Sequence, residues 1–109
     1  MANQQTLEEL YDIIKGRKET PKEESYTNYL FDKGLDKILK KVGEEATEVV
    51  IAAKNEDSRE LVYETADVLY HLLVLLVEKG ISYEAILEEL ASREGIISKT
   101  QERKAITDL

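Results

Sequence analysis

Between Leu35 and Ala53 the apolar residues Leu35, Ile38, Leu39, Val42, Ala46, Val49, Val50 and Ala53 recur at steps of three, one and four, the signature of a one-sided α-helix. The run stops at Asn55-Glu56-Asp57-Ser58, which breaks the period and supplies an N-cap, and a second helix is predicted from Arg59 to about Lys79, ended by Gly80. Two long helices joined by so short a break must return antiparallel, so the chain is predicted to be built on a helical hairpin. Composition agrees: with 5 glycines and 1 proline in 109 residues, turns are too few for a sheet protein, and a single all-α domain over 1–109 is expected.

Shorter helices flank the hairpin. Thr6-Leu7-Glu8-Glu9 offers a capped start to a first helix that Gly16 should end. Arg17 to Glu24, with Pro21, reads as an exposed loop, and Ser25 caps a segment through Tyr26, Tyr29, Leu30 and Phe31 to Gly34. Ser82 caps a last amphipathic helix expected to stop near Gly95, leaving 95–109 as a polar tail, either loosely held or docked on a partner subunit.

The predicted second helix is apolar around most of its circumference and should be buried on most sides. Its charged and imidazole residues, Glu60, Glu64, Asp67, His71 and Glu78, fall within a ridge of about 60°. Burying ionised carboxylates costs several kcal/mol each unless something beside them compensates. The preceding helix carries Glu45 and Glu48 at the same i, i+3 spacing as Glu64 and Asp67, and the two pairs lie equally far from the turn centre. Antiparallel return therefore sets Glu48 opposite Glu64 and Glu45 opposite Asp67. Convergent negative charge of this kind calls for a divalent ion, and an all-oxygen ligand set favours Mg2+, with Mn2+ as a substitute. Lys41 shares the ridge of Glu45 and Glu48, with Lys37 one turn before it, so both can meet phosphate. His71, one turn after Asp67, is expected behind the ligands rather than among them, and Tyr26, Tyr29 and Phe31 are expected in the core or an interface. Gly43 inside a helix costs about 1 kcal/mol relative to alanine, which hints at close approach by another backbone or a ligand.

A formal charge of −8 argues against a nucleic-acid groove, the longest apolar run, Leu72 to Val77, is too short to span a bilayer, and the absence of cysteine permits a reducing compartment. A cytoplasmic protein with a small-molecule nucleotide partner is expected.

Lys41-Val42-Gly43-Glu44-Glu45-Ala46-Thr47-Glu48, then Glu64-Thr65-Ala66-Asp67 and Tyr70-His71 with the apolar run after it, together with Ser25-Tyr26-Thr27, resemble the phosphoribosyl-ATP pyrophosphatase family within the MazG-like all-α nucleotide pyrophosphatases. The resemblance extends over about residues 7 to 94. It implies that Glu45, Glu48, Glu64 and Asp67 hold magnesium, that Glu45 and Glu48 thereby serve catalysis, and that Lys37 and Lys41 touch phosphates. Glu44 becomes a candidate to orient or deprotonate water. It further implies hydrolysis of the α–β anhydride of phosphoribosyl-ATP in histidine biosynthesis, by a homodimer with a four-helix core. A MazG-like hydrolase of free nucleoside triphosphates and a non-catalytic, metal-binding helical dimer are the alternatives.

Overall fold

The computed structural model describes residues 4–99, with side chains to residue 94, and these form five helices and no strand. They are α1 (Leu7–Glu19), α2 (Tyr26–Lys33), α3 (Leu35–Ala53), α4 (Ser58–Lys79) and α5 (Tyr83–Lys99).

Capping fixes where most of them begin. Thr6 and Glu9 exchange side-chain to backbone bonds in a capping box at 3.0 and 2.9 Å, Ser25 accepts from Asn28 N–H at 3.2 Å, and Asp57 accepts from Arg59 N–H at 2.9 Å. Ser82 accepts from Ala85 N–H at 3.1 Å at the start of α5. Gly80 ends α4 with a left-handed φ of 72°, which lets Ile81 N–H bond back to Leu76 O at 2.9 Å.

Two helices run past their expected ends. α1 passes through Gly16 to Glu19, because its last turn is held from outside: Asn28 Nδ2 donates to Arg17 O at 2.8 Å and Lys18 Nζ bonds Glu78 at 2.7 Å. α5 likewise continues through Gly95 to Lys99, while the rest of the expected tail lies outside the described residues. A glycine alone costs a helix only about 1 kcal/mol, too little to end one without a breaker behind it.

α3 and α4 form the expected hairpin, α1 packs along α4, and α2 fills the angle between α1, α3 and α4. The core is Tyr11 and Ile14 of α1, Leu30 of α2, Ile38 of α3, and Leu73, Val74 and Val77 of α4. Each side chain so buried contributes on the order of 1.5–3 kcal/mol. α4 is not enclosed, however: Val62 and Tyr63 are two-thirds exposed, and Leu69 and Leu72 open, with Ile86, Leu87 and Leu90 of α5, onto an apolar groove of about 340 Å3. α3 leaves Leu39, Val50 and Ile51 exposed in the same way. The stripes are real, but the described helices do not cover them. Among the described residues no helix is long and apolar enough to cross a membrane.

A candidate metal and phosphate site

The acidic ridge of α4 is compensated in two different ways. At its ends the partners are ordinary, since Glu60 accepts from Asn55 Nδ2 and Glu78 from Lys18. In its middle, Glu64 and Asp67 meet Glu45 of α3. Carboxylate oxygens of Glu45, Glu64 and Asp67 all lie within 4.8 Å of one another, and Glu45 is only 9% exposed. The hairpin register thus brings Glu45 to Asp67 as predicted and adds Glu64 to the same point. Glu48 is exposed and stands outside this group, although its charge still bears on Glu64; a long side chain beside carboxylates of like sign turns towards water.

The charge states follow from the crowding. Burial pushes Asp67 up, and its hydrogen bond to Glu45 together with their mutual repulsion pushes it further, while His71 and Lys41 oppose the rise. Glu64 is raised by desolvation first, then by its hydrogen bond to Glu45 and the charges of Glu45, Glu48 and Asp67. Burial raises Glu45 too, but its hydrogen bonds with Asp67 and Lys41 outweigh that and leave it below the usual carboxylate range. Glu45 thus gives up its proton more readily than a free carboxyl, while Glu64 and Asp67 hold a proton more tightly. A divalent cation can take the place of that proton, and a donor set of carboxylate oxygens alone suits Mg2+ or Mn2+, so the residues fit the ion expected of them.

Lys41 Nζ lies 3.4 Å from Glu45 and 3.7 Å from Glu44, which also faces Lys40 at 3.9 Å. Lys41 is accordingly at the edge of the carboxylate group, where a phosphate can replace Glu44 as its partner. Glu44 is turned to the lysines rather than to the carboxylates. Lys37 is elsewhere, with Nζ 5.9 Å from the ring centre of Tyr29. Gly43, expected at a close approach, has nothing within 4 Å of where a Cβ would stand among the described residues.

His71 is 2% exposed with both ring nitrogens engaged. Nδ1 lies 2.8 Å from the main-chain oxygen of Asp67, which can only accept, so Nδ1 carries a proton, and Nε2 shares a hydrogen bond with the Tyr26 hydroxyl at 3.0 Å. The ring therefore holds α2 against the turn of α4 that carries Asp67.

Phe31 packs against the core as expected, whereas Tyr26 and Tyr29 lie outside the core of this chain. Tyr26 and Tyr29 are 46% and 41% exposed and stack at 5.9 Å and 22°, and Tyr26 continues onto Tyr70 at 6.1 Å and 29°. Thr27 and Tyr70 share a hydroxyl hydrogen bond at the foot of this ladder. Only the i, i+3 spacing of Tyr26 and Tyr29 signalled it in sequence; the pairing with Tyr70 depends on how α2 crosses α4.

With this geometry in place, comparison with known proteins is specific. The family profile described as Phosphoribosyl-ATP pyrophosphohydrolase matches residues 7–94. A Listeria monocytogenes protein named phosphoribosyl-ATP pyrophosphatase is 69% identical over 103 residues, covering 94% of this chain and 99% of its own length. Proteins of the same name from Limosilactobacillus fermentum and Lactiplantibacillus plantarum are each 64% identical over 105 residues, 96% of this chain and 99% of theirs. The chain belongs to the phosphoribosyl-ATP pyrophosphohydrolase family.

Proposed function

We propose that the chain is a Mg2+-dependent phosphoribosyl-ATP diphosphatase, which hydrolyses the α–β phosphoanhydride of phosphoribosyl-ATP to phosphoribosyl-AMP and pyrophosphate in histidine biosynthesis. The observation that carries the chemistry is the meeting of Glu45, Glu64 and Asp67 across the α3–α4 hairpin; the substrate rests on the likeness to relatives named for it.

Glu45, Glu64 and Asp67 would hold the ion, with Glu48, whose charge bears on Glu64, turning in as a fourth ligand when the ion binds. A bound Mg2+ supplies charge neutralisation for the leaving pyrophosphate and a more acidic water. The chain's own groups do the rest. Lys41 places an ammonium beside that charge, and the Tyr26–His71 link keeps Asp67 aimed at it. Glu44, one partner of Lys41, becomes available to a water when phosphate claims the lysine.

The apolar groove between α4 and α5 supports a homodimer, in which a second copy covers Leu69, Leu72 and Leu90 and a four-helix core is completed. A chain without cysteine suits work in the cytoplasm.

The deciding experiment measures pyrophosphate release from phosphoribosyl-ATP and from ATP, with and without Mg2+. Turnover of phosphoribosyl-ATP that EDTA abolishes supports the assignment. Turnover of free triphosphates alone would move the chain to the general nucleotide pyrophosphatases.

A further inference from the structure

Lys33, at the end of α2, and Lys37, in the first turns of α3, place their ammonium groups 5.8 and 5.9 Å from the centre of one ring, that of Tyr29. Two like charges gathered on one side chain repel, and the ring's negative faces are what offsets this. Among the described residues neither lysine forms an ion pair. That is unexpected in a chain of net charge −8 in which Asp32 and Asp36 are their immediate neighbours; adjacent residues of a helix point apart, so those acids do not neutralise them. Tyr29 itself is 41% exposed and stacks on Tyr26, whose hydroxyl reaches His71 beside Asp67. The result is an accessible cationic patch tied by an aromatic ladder to the carboxylate centre.

Its distance from that centre decides what it can hold. From Lys37 to Glu45 is eight residues, about 12 Å of helix. That is too far for a phosphate bound to an ion at Glu45, but it is a span on the order of one nucleoside.

We propose that Tyr29, Lys33 and Lys37 form a second phosphate subsite, which takes the phosphate on the added ribose of phosphoribosyl-ATP. The proposal rests on the substrate reading above and adds to it the element that tells this substrate from ATP. Both compounds offer the carboxylate centre a triphosphate; only one has a further phosphate beyond the base. Lys33 and Lys37 are the charge that meets it, and Tyr29 is a positioning residue that holds the two together.

The test compares binding of phosphoribosyl-AMP and of AMP by calorimetry, beside steady-state hydrolysis of phosphoribosyl-ATP. Wild type should bind phosphoribosyl-AMP more tightly than AMP. Lys33→Gln with Lys37→Gln should weaken phosphoribosyl-AMP roughly tenfold or more, the value of a lost charge-assisted hydrogen bond, and weaken AMP less. KM for phosphoribosyl-ATP should rise more than kcat falls. Tyr29→Leu should lose part of the preference and Tyr29→Phe, which keeps the ring, should retain it. Lys37→Gln alone, with thermal unfolding followed in parallel, separates a binding loss from a folding loss. If the double variant keeps the wild-type preference, or loses both ligands equally, the subsite is overturned while the enzyme's assignment stands. If wild type neither hydrolyses phosphoribosyl-ATP nor prefers its product over AMP, the assignment fails first and the subsite with it.

Discussion

Glu45 of α3 and Asp67 of α4 meet across the hairpin with carboxylate oxygens within 4.8 Å, one held below and the other above its ordinary pKa. Such a pair is the structural core of the proposed ion site, so Glu45→Gln and Asp67→Asn should each cut kcat/KM by roughly a hundredfold or more, the scale of a lost electrostatic contact at a reacting centre. Glu48→Gln, at the exposed fourth acid, should cost less and should raise the Mg2+ concentration needed for half-maximal rate. An equal loss at all three positions would show that Glu48 closes onto the ion as firmly as the others.

The same pair sets the pH response of metal binding. Asp67 and Glu64 hold their protons above the usual carboxylate range, and an ion must displace them. Mg2+ affinity measured by calorimetry should therefore fall as pH drops through the raised pKa values, with proton release on binding that grows on the acid side of neutral. Affinity constant down to the ordinary aspartate pKa of 3.8 would contradict this.

Stability without metal has the opposite sign from the usual carboxylate case. A group whose folded pKa is raised favours the fold below its unfolded pKa, and that contribution is lost as pH rises through the folded value. For Asp67 the loss begins above 3.8 and is complete on the alkaline side of its raised pKa, while the lowered Glu45 offsets part of it. In EDTA near neutral pH, Asp67→Asn should thus melt higher than wild type by a few degrees, and saturating Mg2+ should reverse the order. Wild type more stable than Asp67→Asn in EDTA would mean that the carboxylates are not crowded.

Much of this was legible in sequence, for a physical reason. Hairpin register follows from counting residues about Asn55–Ser58, and it put Glu45 opposite Asp67 without knowledge of any side chain. Helix starts were legible because capping is local, as at Thr6, Ser25 and Ser82. Helix ends were legible at Gly34 and Gly80 but not at Gly16, which is carried through by contacts from Asn28 and Glu78, distant in the chain. The tyrosine ladder and the Lys33–Tyr29–Lys37 patch were hidden for the same reason: they depend on the angle at which α2 meets α3 and α4, and a period along one helix carries no information on that angle. Apolar stripes on α3 and α4 were visible, but a stripe does not say whether this chain or another covers it.

That last point is open to a direct measurement. Leu72 of α4 and Leu90 of α5 face the apolar groove, 38% and 57% exposed, and a second copy of the chain is the proposed cover. Burying a leucine contributes about 1.5–3 kcal/mol, and a two-fold interface counts every residue twice, so one polar replacement acts on both sides of it. Leu72→Glu should shift the protein from dimer to monomer in sedimentation velocity at micromolar concentration, with a lower melting temperature that no longer depends on protein concentration. Leu30→Ala, in the core of one chain and fully buried, should cost about 2–5 kcal/mol while the folded fraction remains dimeric. The two variants separate the interior of one chain from the surface between two: a Leu72→Glu protein that still sediments as a dimer would place the contact elsewhere than the α4–α5 groove, and a wild-type monomer would overturn the dimer itself.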